Sequence, residues 1–403
     1  VSTRPARRRG PRRAALALAA VGAIALVAVA VIAGRAVSDP GEAPRAETPG
    51  TLLSIEPLTA GIPADARAWR IVHTSRDARD GSTIPVSALV LVPRDPPPGP
   101  MPVIAWAHGT TGIERGCAPT LSGSPLFGFP AARDVLARGW AVVATDYPGL
   151  GTPGGHPYLV GEAAGRAVLD AIRASRDPRV PAGLSGEVVV WGHSQGAHAA
   201  LFAGQIAPAY APDVPLAGVA ALAPPTDLPA LVRDVEDSPT GKLYLSQAVV
   251  AWARHYPALS VDEAIVDGEE EAVAAVARGC LNGPSAVLTL AGAGLLPERI
   301  LEPGLWRRPD WAAALRANVP AGPVAAPLLI AQGARDQVVP AAQTRADVAA
   351  RCADDATVRY REYPRADHLS VLRASRAELL DWTAARIAGA AAPRTCPGPA
   401  ARR

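Results

Sequence analysis

A chain of 403 residues has ample material for one large hydrophobic core. Nearly half of its residues are apolar and 19% are charged, which excludes an intrinsically disordered protein and argues against a nucleic-acid binder. The formal charge of +3 arises at the start of the chain: seven arginines and no acidic residue precede position 37, and without them 33 basic residues face 37 acidic ones, so no basic face for a phosphate backbone remains.

Arg4, Arg7, Arg8, Arg9, Arg12 and Arg13 form a basic start, and the 21 residues from 14 to 34 carry no charge. Residues 1–36 therefore read as an export signal peptide or a single membrane anchor, with Gly34-Arg35-Ala36 as a small-x-small cleavage site. In both versions the arginines stay cytoplasmic and the rest of the chain lies outside, secreted or held at the membrane. Residues 37–50, rich in Pro, Gly and Glu, read as a flexible linker.

Beyond the linker, short β-type runs alternate with longer Ala-rich helical patterns. Strands are predicted at 68–73, 86–92, 103–107, 140–145, 188–191, 217–222, 328–331 and 358–363. The later runs are almost continuously apolar, as expected of strands covered by helices on both faces. Helices are predicted at 131–138, 162–175, 195–207, 343–351 and 374–387. This alternation predicts an α/β fold, with a mostly parallel sheet in three layers.

Between 228 and 323 the rhythm stops. No strand pattern appears there, while 243–256 and 261–278 read as helical. The stretch is far too long for a loop in a compact domain. It reads as a helical cap or lid between two parts of a core, residues 51–227 and 324–403. Its most apolar part, 285–301, suits a substrate-facing lid or the cap's own interior equally.

Four cysteines, Cys117, Cys280, Cys352 and Cys396, show no C-x-x-C spacing, which argues against zinc and thioredoxin-type sites. In an exported chain an even count predicts two disulfides, and three pairings are open.

The chemistry concentrates after the run at 188–191. Gly192-His193-Ser194-Gln195-Gly196 sits between that strand and the helix at 195–207, the strand–turn–helix context of a nucleophile elbow. So sharp a turn needs glycine on both sides, and it lifts Ser194 Oγ to a helix N-terminus. A serine hydroxyl needs a base. Of the seven histidines, His193 and His198 lie too close along the chain to reach Oγ. His73 is on an early strand, His156 in a Gly/Pro loop, and His255 in the cap. His108 ends the strand at 103–107 and suits another role. His368, after the last strand, fits the order Ser, acid, His. Asp336, after the strand at 328–331, fits as the carboxylate that orients the imidazole. Asp227, in Pro-Thr-Asp-Leu, reads better as a helix cap, and Asp367 adjoins the histidine but is expected to point elsewhere.

Trp106-Ala107-His108-Gly109-Thr110-Thr111-Gly112 predicts a loop that turns a backbone N–H toward a substrate oxyanion. Thr110 and Gln195 are the expected donors, with Thr111 next. There is no Walker A loop, dinucleotide glycine fingerprint or His-Glu-x-x-His, so no cofactor and no metal is expected. Oligomeric state has no sequence signal.

Taken together, these features resemble the secretory lipase family of lipase A type, within the α/β-hydrolases. The likeness rests on Gly192-His193-Ser194-Gln195-Gly196, Asp336 in Gly-Ala-Arg-Asp-Gln-Val-Val, His368 before Leu369, and Gly116-Cys117-Ala118-Pro119. Asp146-Tyr147-Pro148-Gly149-Leu150-Gly151 and Gly165-Arg166-Ala167-Val168-Leu169-Asp170 extend it over about residues 55–395. The resemblance implies an α/β-hydrolase fold, hydrolysis of triacylglycerols or related lipid esters, and a helical cap that could meet a lipid interface. It also implies disulfides Cys117–Cys280 and Cys352–Cys396. Some members place a side-chain carboxylate near the oxyanion hole; here that loop is His108-Gly109-Thr110-Thr111-Gly112. Acyl transfer, peptide cleavage and polyester hydrolysis use the same machinery. A binding protein that kept the fold is the non-enzymatic alternative.

Overall fold

In the computed structural model, which describes residues 48–396, the apolar runs form strands of a single sheet. In chain order the elements are β1 (Leu52–Pro57), β2 (Ala66–Arg76), β3 (Thr83–Pro93), β4 (Val103–Ala107), α1 (Ala132–Ala137), β5 (Ala141–Thr145), α2 (Gly161–Ser175), β6 (Val188–His193), α3 (Gln195–Tyr210) and β7 (Leu216–Leu222). There follow α4 (Leu228–Val235), α5 (Pro239–His255), α6 (Glu270–Ala277), α7 (Ala286–Leu295), α8 (Pro309–Ala317), β8 (Leu328–Gly333), α9 (Ala341–Ala353), β9 (Val358–Tyr363), α10 (Ser370–Ala374) and α11 (Arg376–Ile387). The expected signal or anchor at 1–36, and most of the linker, lie outside the described residues. Among those described, no helix is long and apolar enough to cross a membrane.

The sheet order is β1-β2-β3-β5-β4-β6-β7-β8-β9. The first three strands pair antiparallel, and β3 also meets β5 antiparallel. From β5 onward every pairing is parallel. Successive side chains of a strand face opposite ways, and β6 shows the consequence. Val188 and Val190 pack with Leu169 of α2 and Leu201 of α3, whereas Val189 and Trp191 pack with Val135 of α1 and Trp382 of α11. Helices on both faces explain why β4, β5, β6 and β8 are buried along their whole length.

Three expectations differ in detail. β1 has no clear run in the sequence, because an edge strand with one side unpaired buries little beyond Leu52. The predicted helix at 261–278 forms only at α6, since Gly268 adopts φ 87° and breaks the turn before it. The helix predicted at 374–387 forms as α11 from Arg376, and a short helix with no predicted counterpart, α10, precedes it.

Two relationships position the site. β4 has β5 on one side and β6 on the other, so the crossovers that follow it part in opposite directions and leave a crevice at the carboxyl ends of β4 and β6. The chain between β7 and β8 contributes five α-helices, a short 3-10 turn at Leu305–Arg307 and one isolated bridge, Ile265 to Leu301. Its interior, built around Trp252, Trp311, Leu243 and Val249, is shared with Ile113, Tyr158 and Val160 from loops of the sheet domain.

Candidate active site

β4, β6, β8 and β9 run parallel, so the loops that follow them leave the same edge of the sheet. Every residue expected to carry chemistry lies on one of these loops or at the start of α3. Ser194, between β6 and α3, has φ 55° and ψ −122°, a backbone that a residue with a side chain adopts only where its surroundings impose it. Its N–H donates to the Leu222 carbonyl at 2.9 Å, and its carbonyl accepts from Ala197 and His198. A Cβ on Gly192 would overlap the Gly196 backbone, and one on Gly196 would overlap the Ala107 carbonyl at the end of β4. Both positions must be glycine for α3 to start so close to the sheet.

His368 Nε2 lies 2.9 Å from Ser194 Oγ, and His368 Nδ1 lies 2.8 Å from Asp336 Oδ2. Asp336 Oδ1 accepts the N–H groups of Val338 and Val339 at 2.9 and 2.8 Å, and its Oδ2 also accepts from Gln332 Nε2 at 3.0 Å. A carboxylate that accepts from so many N–H groups presents only lone pairs to the ring, so Nδ1 carries the hydrogen and Nε2 turns a lone pair toward the serine. The rival acids are engaged elsewhere. Asp227 caps α4 by accepting the Ala230 N–H, and Asp367 accepts from Leu369 and Ser370.

The loop after β4 passes beside the serine. A Cβ on Gly109 would lie 3.8 Å from Ser194 Cβ. Among the described residues, neither the Thr110 nor the Gln195 N–H has a protein acceptor; that of Gln195 is the first of α3, where an N–H lacks an intrahelical partner. Thr111 points its carbonyl away, accepting the Leu281 N–H at 2.8 Å. The disulfide Cys117–Cys280 ties this loop to the helical insertion, and Cys352–Cys396 ties α9 to the end of the described chain.

Sequence reasoning passed over two buried imidazoles. His193 donates its Nε2–H to the His368 carbonyl at 2.7 Å, with the ring centroids 4.8 Å apart. His156 donates Nδ1–H to the Pro148 carbonyl at 2.9 Å, which leaves Nε2 to accept from the Gln195 amide at 2.9 Å. Burial pushes both rings down to about 3, so they are neutral and these tautomers hold. His108 and His198, also pushed down to about 4 by burial, bond the carbonyls of Gly109 and Asn318. His108 and His198 lie next to apolar residues, which signals burial, whereas His156 lies in a Gly/Pro loop with no such signal; the partners contributed by distant segments have none either.

In front of Ser194 and Gln195 opens a cavity of about 740 Å³, mouth included. Its wall is mostly apolar, with Leu228, Val232, Leu245, Trp252 and Leu315 from the insertion and Leu159 from the sheet domain. Thr110 is not in that wall but bonds through its hydroxyl to Tyr158, which is. Among the described residues, no three His, Cys, Asp or Glu side chains converge as a metal-holding group.

The sequence pattern of a family described as secretory lipase matches residues 131–394. Lipase A of Arthroderma benhamiae is 23% identical over 378 residues, 89% of this chain and 78% of that protein. A probable inactive lipase of Mycobacterium tuberculosis is 26% identical over 370 residues, 85% of this chain and 79% of that protein. Candida antarctica lipase A in its closed state superposes with a TM-score of 0.73 at 19% identity, covering 88% of this chain and 86% of that one. That likeness speaks to the fold alone, the α/β-hydrolase fold.

Proposed function

Because the chain belongs to the secretory lipase family, a group of carboxylic ester hydrolases, we propose that it hydrolyses lipid esters through an acyl-enzyme on Ser194. The observation that carries this reading is the unbroken contact chain from Ser194 Oγ through the His368 ring to Asp336, at 2.9 and 2.8 Å. In the proposed cycle Ser194 Oγ attacks the ester carbonyl while His368 Nε2 takes its proton. Asp336 holds the Nδ1–H tautomer and stabilises the imidazolium. The N–H groups of Gln195 and Thr110 receive the oxyanion. His368 then protonates the departing alcohol, and water repeats the sequence on the acyl-enzyme.

The apolar cavity supports an acyl chain rather than a peptide as its occupant. In the same reading residues 228–323 act as a cap over the site, with a face open to a lipid surface. The secretory family and the two disulfides support a location outside the cytoplasm. The alternative, a hydrolase-fold protein without activity, has a named counterpart in the Mycobacterium relative. Here the intact serine, imidazole and carboxylate contacts favour catalysis.

The test is hydrolysis of p-nitrophenyl butyrate together with labelling by a fluorophosphonate. Ser194→Ala is expected to abolish labelling and to lower kcat by about 10⁴-fold or more with an unchanged melting temperature. Labelling or turnover that survives in Ser194→Ala overturns the assignment.

A further inference from the structure

The apolar cavity is one of two compartments that meet at the candidate catalytic residues. The second is an open groove whose wall contains His368, Leu369, Arg335, Arg365 and Asp367. Ser238, Thr240, Gln337 and Val338 stand in the walls of both. Ser194 faces only the cavity, and His368 only the groove. In an acyl transfer the imidazole that protonates the leaving oxygen must lie on the alcohol side of the scissile bond. The groove is therefore on the leaving-group side, adjoining the apolar cavity.

Two guanidinium groups dominate that groove. Arg335 immediately precedes Asp336, and Arg365 is three residues before His368. Their backbones are fixed together: the Arg335 N–H donates to the Ala366 carbonyl at 2.9 Å, and a Cβ on Gly333 would press on that carbonyl. The side chains are exposed, and among the described residues neither has an acidic partner within ion-pair distance. The one acidic group in the groove wall, Asp367, turns Oδ1 to the N–H groups of Leu369 and Ser370 and to the Ser370 hydroxyl. Asp336 is buried and engaged by His368. An apolar alcohol gains nothing from two such cations, whereas phosphate and carboxylate oxygens match the guanidinium fork.

We propose that the groove takes the alcohol half of the ester and that Arg335 and Arg365 select alcohols bearing an anionic oxygen group, phosphate or carboxylate. This rests on the serine-hydrolase reading above.

The test compares three soluble butyryl esters at low ionic strength: 1-butyrylglycerol, 1-butyrylglycerol 3-phosphate and the butyryl ester of glycerate. Their short chains remove any lipid interface. The wild-type enzyme is expected to show kcat/KM about tenfold higher for an anionic ester than for the neutral one, through KM. That ratio should fall toward one in the Arg335→Ala/Arg365→Ala double variant and at high salt. A preference for the phosphate alone identifies a phosphate-bearing alcohol, and a preference for both anionic esters identifies an anionic alcohol in general; each supports the proposal. A ratio near one in the wild type overturns it, as does a ratio that survives in the double variant. An arginine dependence that appears only on vesicles of anionic phospholipid also overturns it, and assigns the pair to a membrane surface. If p-nitrophenyl butyrate is cleaved and Ser194 is labelled, a failure belongs to the arginines alone. If neither occurs, the underlying reading fails and the proposal falls with it.

Discussion

The imidazole of His193 donates a hydrogen bond of 2.7 Å to the main-chain carbonyl of His368. The residue beside the candidate nucleophile thereby holds the loop that carries the candidate base. The two loops come from β6 and β9, which are not neighbours in the sheet, so this bond supplements what strand pairing alone enforces.

Loss of that bond should disturb geometry more than binding. His193→Leu is expected to lower kcat by about ten- to a hundredfold, since a shift near 1 Å suffices for such a loss, with KM little changed. His193→Gln, whose amide N–H can reach the same carbonyl, should retain most of the activity. Kinetics on a neutral ester and thermal melts of both variants check this. Equal losses in the two variants, or a loss that follows the melting temperature alone, would contradict a positioning role.

Acidification should destabilise the protein. His108, His156, His193 and His198 are buried, and burial lowers them to about 4, 3, 3 and 4. Below the ordinary value near 6.5 the unfolded chain binds protons that the folded chain refuses. The stability these rings contribute is complete above pH 6.5 and is lost as the pH falls toward their folded values. Asp146 acts in the opposite sense, because burial raises it to about 6 although Ser87 and Thr120 bond it. Its folded form binds the extra proton, so its share of stability declines as the pH rises from 4 to 6. The four imidazoles, joined by His73 and His255, which burial also lowers, outweigh Asp146 and Asp347, which burial raises. Urea midpoints should fall between pH 6.5 and 5 by an amount equivalent to about 1–2 kcal/mol per histidine. A flat profile there would refute the argument.

The two disulfides should differ in what they protect. Cys117–Cys280 closes 163 residues and holds the segment after Thr110. The Leu281 N–H bonds the Thr111 carbonyl, and Asn282 Nδ2 bonds the Cys117 carbonyl. Its replacement by two serines is expected to lower stability by about 2–4 kcal/mol and also to lower kcat, because the loop proposed to receive the oxyanion loses its brace. The same replacement at Cys352 and Cys396, away from the site, should affect stability only. Denaturant titration with parallel kinetics separates the two outcomes, and an equal kcat loss in both variants would count against the distinction.

Much of this was legible because it is local. The turn around Ser194 is written in adjacent residues: two glycines that no Cβ could replace, an apolar strand before them and a helix after them. The alternation of strand and helix likewise predicts a parallel sheet, and parallel strands deliver their following loops to one edge. That edge is why Ser194, Asp336 and His368 could be chosen by order along the chain alone. β1 was missed for a local reason too, since an edge strand buries too little to leave a pattern.

Sequence by itself determined the class of fold and the strand–turn–helix around Ser194, and it offered the chain positions proposed for an acid and a base, because these follow from backbone sterics and from the periodicity of burial. Only the tertiary structure decided which side chains those loops bring within bonding distance. The tie from His193 to His368, the hold of His156 on Gln195, and the convergence of Arg335 and Arg365 in one groove each join residues from separate loops. A hydrogen bond or a shared charge field depends on ångström-scale distances in space, and those are set only when the whole sheet has closed around its helices.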